Sequence, residues 1–140
     1  MASTPTATAT ILDPDGTRAA WAADIAAFPR ELPQGVAWPT DPPAGITGAG
    51  QGTEVGLTSI LLADYWVCAW EEQYIDAVAA DDDSASTTAL DEVEAYPELP
   101  AVIAHFPDVD VWYEDTVEPA KAGDVTSMTK EVASCGLIHD

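Results

Sequence analysis

The chain has 140 residues, 47% of them hydrophobic, and sets 25 acidic against 4 basic side chains for a net charge of −21. That length suffices for one domain with a real core. So negative a surface repels polyanions, which argues against nucleic acid as a partner and against adsorption to anionic lipid. Most carboxylates have no base within the chain to pair with, so they must be solvated, screened by cations or met by a basic partner. Three settings produce such an excess: a high-salt cytosol, an extracytoplasmic location, or a basic binding partner. No apolar run reaches the roughly 18 to 20 residues of a transmembrane helix, and the N-terminus lacks the basic and apolar regions of a signal peptide.

The opening Ser3 to Thr10 is small, polar and rich in Thr, Pro and Ala, so residues 1–14 read as a flexible linker. A single domain is expected over 15–137. Asp13-Pro14-Asp15-Gly16 resembles the start of a calcium loop but lacks the later ligands; a turn with Asp15 or Thr17 capping the next helix is the stronger reading. Trp21, Ile25 and Phe28 then mark a short amphipathic helix over 17–28, stopped by Pro29. From Pro29 to Thr53 the density of Pro and Gly predicts little regular structure, and Leu32, Val36, Trp38 and Ile46 would anchor this stretch as a wrap over the domain. Gly48-Ala49-Gly50-Gln51-Gly52 has neither the preceding strand nor the GK[ST] of a phosphate loop, and serves as a tight entry to the next helix.

Leu57 to Ala80 is apolar nearly all round at helical spacing, which predicts a central helix surrounded by protein. An acidic connection, Asp81 to Ser84, leads to a helix over about 87–96 ended by Pro97. Pro100 opens another, with Leu99, Val102, Ile103 and Phe106 as its stripe. Asp108 caps a helix to about Ala122, with Val111, Trp112 and Thr116 inward, that Pro119 should kink or shorten. Asp124 caps the last, in which Val125, Met128, Val132 and Cys135 face inward. The expected fold is an all-α bundle of five or six helices around residues 57–80, with a long Pro/Gly-rich N-terminal wrap.

Three constellations could carry function. Cys68 and Cys135 both point into the core; they read as a structural disulfide, with two buried free thiols as the alternative. Asp64 and Glu71 lie seven residues apart on the face that holds Cys68, where inward carboxylates could share a proton or bind a metal, with His105 as a third member. His105 is as readily an ordinary structural residue, as is His139 in the C-terminal tail. Trp66 and Trp70, with Trp38 from the wrap, would make an aromatic binding platform, though packing under the wrap is the stronger reading. No catalytic triad or nucleophile motif is present, so no catalytic residue, metal or cofactor is assigned.

The Pro/Gly-rich entry, Trp66-x-Cys68-x-Trp70-Glu71, Tyr74-Ile75-Asp76-Ala77, the acidic loop, Ala89-Leu90, Tyr96-Pro97-Glu98-Leu99, Ala122-Gly123-Asp124 and the late Cys135 form a pattern over roughly residues 20 to 136. It resembles small extracytoplasmic domains of unknown function from membrane-anchored or secreted actinobacterial proteins. The resemblance implies export, a Cys68–Cys135 bridge and no known catalytic residues. The leading expectation is thus a non-enzymatic extracytoplasmic interaction or structural domain with a protein partner of basic character. The alternatives are a carboxylate-based metal or hydrolytic site at Asp64, Glu71 and His105, and a cytosolic acidic protein adapted to high salt.

Overall fold

The computed structural model describes residues 11–42, 53–54 and 56–135. Among them are six helices: α1 (Pro14–Ala27), α2 (Leu57–Ala79), α3 (Asp83–Glu94), α4 (Pro100–His105), α5 and α6 (Thr126–Ala133), with a 3-10 turn at Tyr96–Glu98. Helix α5 runs without a break through α-helical Val109–Trp112, π-helical Tyr113–Val117 and α-helical Glu118–Lys121. The expected helical bundle around a central helix is thus the observed architecture. A two-residue antiparallel pairing, Ile11–Leu12 with Thr53–Glu54, is its only sheet among the described residues. The greater part of the expected linker (1–10), Ile46, the glycine cluster of 48–52, Gly136 and His139 lie outside the described residues.

Helix α1 begins a turn earlier than the spacing of Trp21, Ile25 and Phe28 predicts. Pro14 occupies its first turn, where a missing N–H costs nothing, and the Asp13 carboxylate accepts from the Gly16 N–H at 2.6 Å. The cap is therefore Asp13, not Asp15 or Thr17, and the calcium-like tetrapeptide is a helix start. Asp82 does the same for α3, accepting from the Ala85 N–H at 3.1 Å, which starts that helix at Asp83 rather than near Thr87. In α5, Pro119 cannot donate and its ring crowds the carbonyl four residues back; the chain answers by widening into the π-helical stretch.

Helix α2 is the axis. Leu62, Ala63, Trp66, Val67 and Cys68 are buried along it, and Tyr74 still is near its far end. Val93 and Tyr96 pack on one flank, Val102 and Val117 on another, and Met128 of α6 closes the core. The segment after α1 wraps over the opposite side, as the Pro/Gly content predicts. It is held by the polar tips of aromatic rings: buried Trp66 and half-buried Trp70 donate Nε1–H to the Glu31 carbonyl at 2.8 and 3.0 Å. Tyr65 donates to the Ala37 carbonyl at 2.8 Å and Trp21 to the Pro39 carbonyl at 2.9 Å. Each bond satisfies a carbonyl that irregular backbone leaves without a ladder partner. Trp38 fits between Phe28 and Tyr65, with ring centroids 4.8 and 5.6 Å away.

Gly56 caps α2 with φ of +100°, and a Cβ there would stand 2.7 Å from Nε2 of His105. The α2 N-terminus has no side-chain cap of its own; Asp24 of α1 supplies a carboxylate instead, accepting from Thr58 Oγ1 at 2.5 Å and Ser59 Oγ at 2.9 Å, where negative charge is favoured by the helix dipole. We expect Gly56→Ala to destabilise the protein by about 1–3 kcal/mol, since it combines left-handed backbone with a steric clash. Removing the imidazole in Gly56→Ala/His105→Ala should restore only part of that, as read from urea midpoints of the two variants. Full restoration would mean that the glycine is there for His105 alone.

Candidate functional site

Asp64, Val67, Cys68 and Glu71 follow the i, i+3, i+4, i+7 spacing that aligns side chains on one helical face. This face of α2 receives α6, whose Met128, Val132 and Cys135 point inward as their spacing predicts, with Met128 and Val132 buried. Cys68 and Cys135 come to disulfide distance, their Cα atoms 6.5 Å apart, within the usual span of such bridges. Between the two helices, the 3-10 turn and α5 lies a half-open cleft of about 360 Å³. Tyr96, Phe106 and Trp112 form its aromatic wall, Asp64 and Glu131 supply its charge, and the cysteine pair borders it.

The polar groups are specifically paired. Tyr96 donates its hydroxyl to Asp64 Oδ1 at 2.6 Å. The Trp112 indole N–H points between the two oxygens of Glu131, 2.8 Å from each. The Tyr96 ring stacks at a tilt on Trp112, centroids 4.8 Å apart, and meets Phe106 nearly edge-on at 6.3 Å. Asp64 keeps one side open to solvent. The protein crowded around its other side raises its pKa, the Tyr96 hydrogen bond works the other way, and Glu131 adds to the rise. Tyr96 is pushed up as well, first by burial and then by the Asp64 charge, so it remains a donor.

Glu71 stands apart from these. It is fully buried, and neither of its carboxyl oxygens has a hydrogen-bond partner. Burial pushes its pKa up to about 10; the Glu131 carboxylate, by its charge and as a near neighbour that favours the protonated form, comes next, and the Asp64 charge adds to the rise. At neutral pH it is therefore a neutral carboxylic acid beneath two acidic neighbours.

Of the sequence-derived candidates, Asp64 and Glu71 come together on this side of α2, but His105 does not join them. His105 packs against Gly56, fifteen residues before Glu71 along the same helix, and a rise of 1.5 Å per residue makes that about 22 Å. The expected Asp64, Glu71 and His105 set is thus not formed, because the end of α4 that carries His105 lies at the start of α2, and only the following Phe106 reaches the cleft. Among the described residues no group of three metal-ligating side chains is placed to hold an ion. Trp38, Trp66 and Trp70 are not a free platform: Trp66 is fully buried, and the indole N–H groups of Trp66 and Trp70 both hold the wrap at Glu31.

Trp112 reaches the cleft from the inward side of α5, where its spacing puts it with the buried Thr116, whereas Val111 is exposed; Glu131 and Tyr96 complete the cleft. For Glu131 a signal exists: it lies three residues after Met128 and four before Cys135, on the inward side of its helix. Which groups Tyr96 and Trp112 meet there depends on chain crossings that no local spacing encodes. Three of the four bases are paired elsewhere, Arg18 with Asp15, Arg30 with Glu92 and Lys121 with Glu94, all near the surface; Lys130, next to Glu131 on α6, is exposed, and none of the four borders the cleft. The chain matches no family model, no curated protein and no solved structure.

Proposed function

We propose that this is a non-enzymatic extracytoplasmic interaction domain whose contact site is the cleft between α2, α5 and α6. The observation that carries the reading is the cleft itself, a concave, aromatic-walled surface with two oriented carboxylates, bordered by the cysteine pair. Concave apolar surface with a few fixed polar groups is what recognition sites are made of. The pairing of Cys68 with Cys135 supports an oxidising compartment, since cytosolic thiols are kept reduced. The net charge of −21 supports a partner of basic character, steered from a distance by the field of the whole surface. No helix among the described residues is long and apolar enough to cross a membrane.

Thiol trapping decides the compartment. Protein recovered from the cells that produce it, alkylated at once and weighed by mass spectrometry, should carry no alkyl group on Cys68 or Cys135. Both thiols found alkylated in full would return the chain to a reducing compartment and leave its acidity as a high-salt adaptation.

A further inference from the structure

We propose that the cleft receives the ammonium group of a lysine side chain from a protein partner, with Asp64 and Glu131 as its counter-charges and Tyr96, Phe106 and Trp112 around its aliphatic stem. This rests on the reading of the cleft as the contact site and adds to it what the partner must present. Three observations converge on a cation with an apolar body. Aromatic faces attract cations and pack against methylene chains. Asp64 and Glu131 face a space bordered by no base, and neither forms an ion pair among the described residues. Glu71, fully buried and with neither oxygen at hydrogen-bond geometry to a donor or acceptor, lies beside Glu131 and feels the charge of both carboxylates. A cation between Asp64 and Glu131 would offset the charge of those two carboxylates, which now faces a neutral Glu71 and no base.

The geometry favours lysine over arginine. Arginine recognises a carboxylate best through two parallel N–H groups on its two oxygens. On Glu131 both oxygens already accept from the Trp112 indole, and on Asp64 one oxygen is taken by Tyr96. What remains are single acceptor directions, which suit a compact ammonium with rotatable donors. The half-open shape admits a side chain while the partner's backbone stays outside.

The test uses blocked tripeptides Ala-Lys-Ala, Ala-Arg-Ala and Ala-norleucine-Ala with the folded protein, read by the indole N–H resonance of Trp112. The lysine peptide should shift that resonance saturably, with affinity at least about tenfold above the norleucine and arginine peptides. The preference should weaken about tenfold in Asp64→Asn, which sits at the open rim, and fall with added salt as a charge contact does. Equal affinity for lysine and norleucine would overturn the proposal while leaving the cleft as an apolar contact site. Preference for arginine would overturn the choice of side chain. No saturable shift with any peptide would overturn it altogether, whatever the thiol state shows. The comparison of lysine with norleucine on the unmodified protein holds even if Asp64→Asn were to misfold.

Discussion

Replacing Glu71 by glutamine should raise the unfolding temperature at pH 8 and leave it nearly unchanged at pH 4. In the folded protein Glu71 is held neutral up to about pH 10 by burial and by the Glu131 and Asp64 charges, whereas in the unfolded chain it ionises near the ordinary glutamate value. Between those values the folded state binds a proton that the unfolded state has released. Stability is therefore greatest at low pH as far as this group is concerned, and falls as pH rises through that window. Each unit is worth about 1.4 kcal/mol, so by neutral pH the cost is on the order of 3 kcal/mol. Glutamine is neutral at every pH and nearly the same size, so it escapes the cost. The wild type minus Glu71→Gln difference also cancels the general repulsion of so acidic a chain. A difference that is flat from pH 4 to pH 8 would mean that Glu71 is ionised or hydrated in the folded protein.

Removing the cysteine pair should have the opposite sign and similar size. Cys68 and Cys135 are 67 residues apart in sequence, and a cross-link closing a loop of that length restricts the unfolded chain by roughly 4 kcal/mol in the chain-entropy model. Against a total stability of about 5–15 kcal/mol for an ordinary domain, that is a large share. Cys68→Ala/Cys135→Ala should shift the urea midpoint down accordingly, and dithiothreitol should do the same to the wild type but not to the double variant. A wild type indifferent to the reductant would show that the pair is unbonded. The effect bears on function, since the cross-link fixes the end of α6 against α2 and thereby one border of the cleft.

What the sequence made legible follows its local regularities. Helical spacing placed α2 at the centre, put Cys68 and Cys135 on facing stripes, and set Asp64 and Glu71 on one side of the axis. Composition marked the segment after Phe28 as a wrap, and Trp66 and Trp70 do hold it. Helix starts were less legible, because Asp13 and Asp82 compete with equally good caps nearby and only the fold chooses. The site was half legible. Its α2 members were found from periodicity, but Tyr96 and Trp112 reach it from elements whose crossing angles no short window contains, and His105 was assigned to it by chemistry alone. Glu131 was hidden by its charge: an acidic residue on an apolar stripe reads as a surface position until its helix is docked.

A partner that docks as proposed meets this molecule at the cleft between α2, α5 and α6. The most direct measurement is site-specific photocrosslinking in the cells that make the protein, with a benzophenone side chain placed either at Ser134, which borders the cleft, or at Ala22, exposed on α1. One discrete crosslinked species is expected from position 134, lost when Asp64→Asn is added, and none from position 22. Equal crosslinking from both positions, or crosslinking from 22 alone, would contradict docking at the cleft.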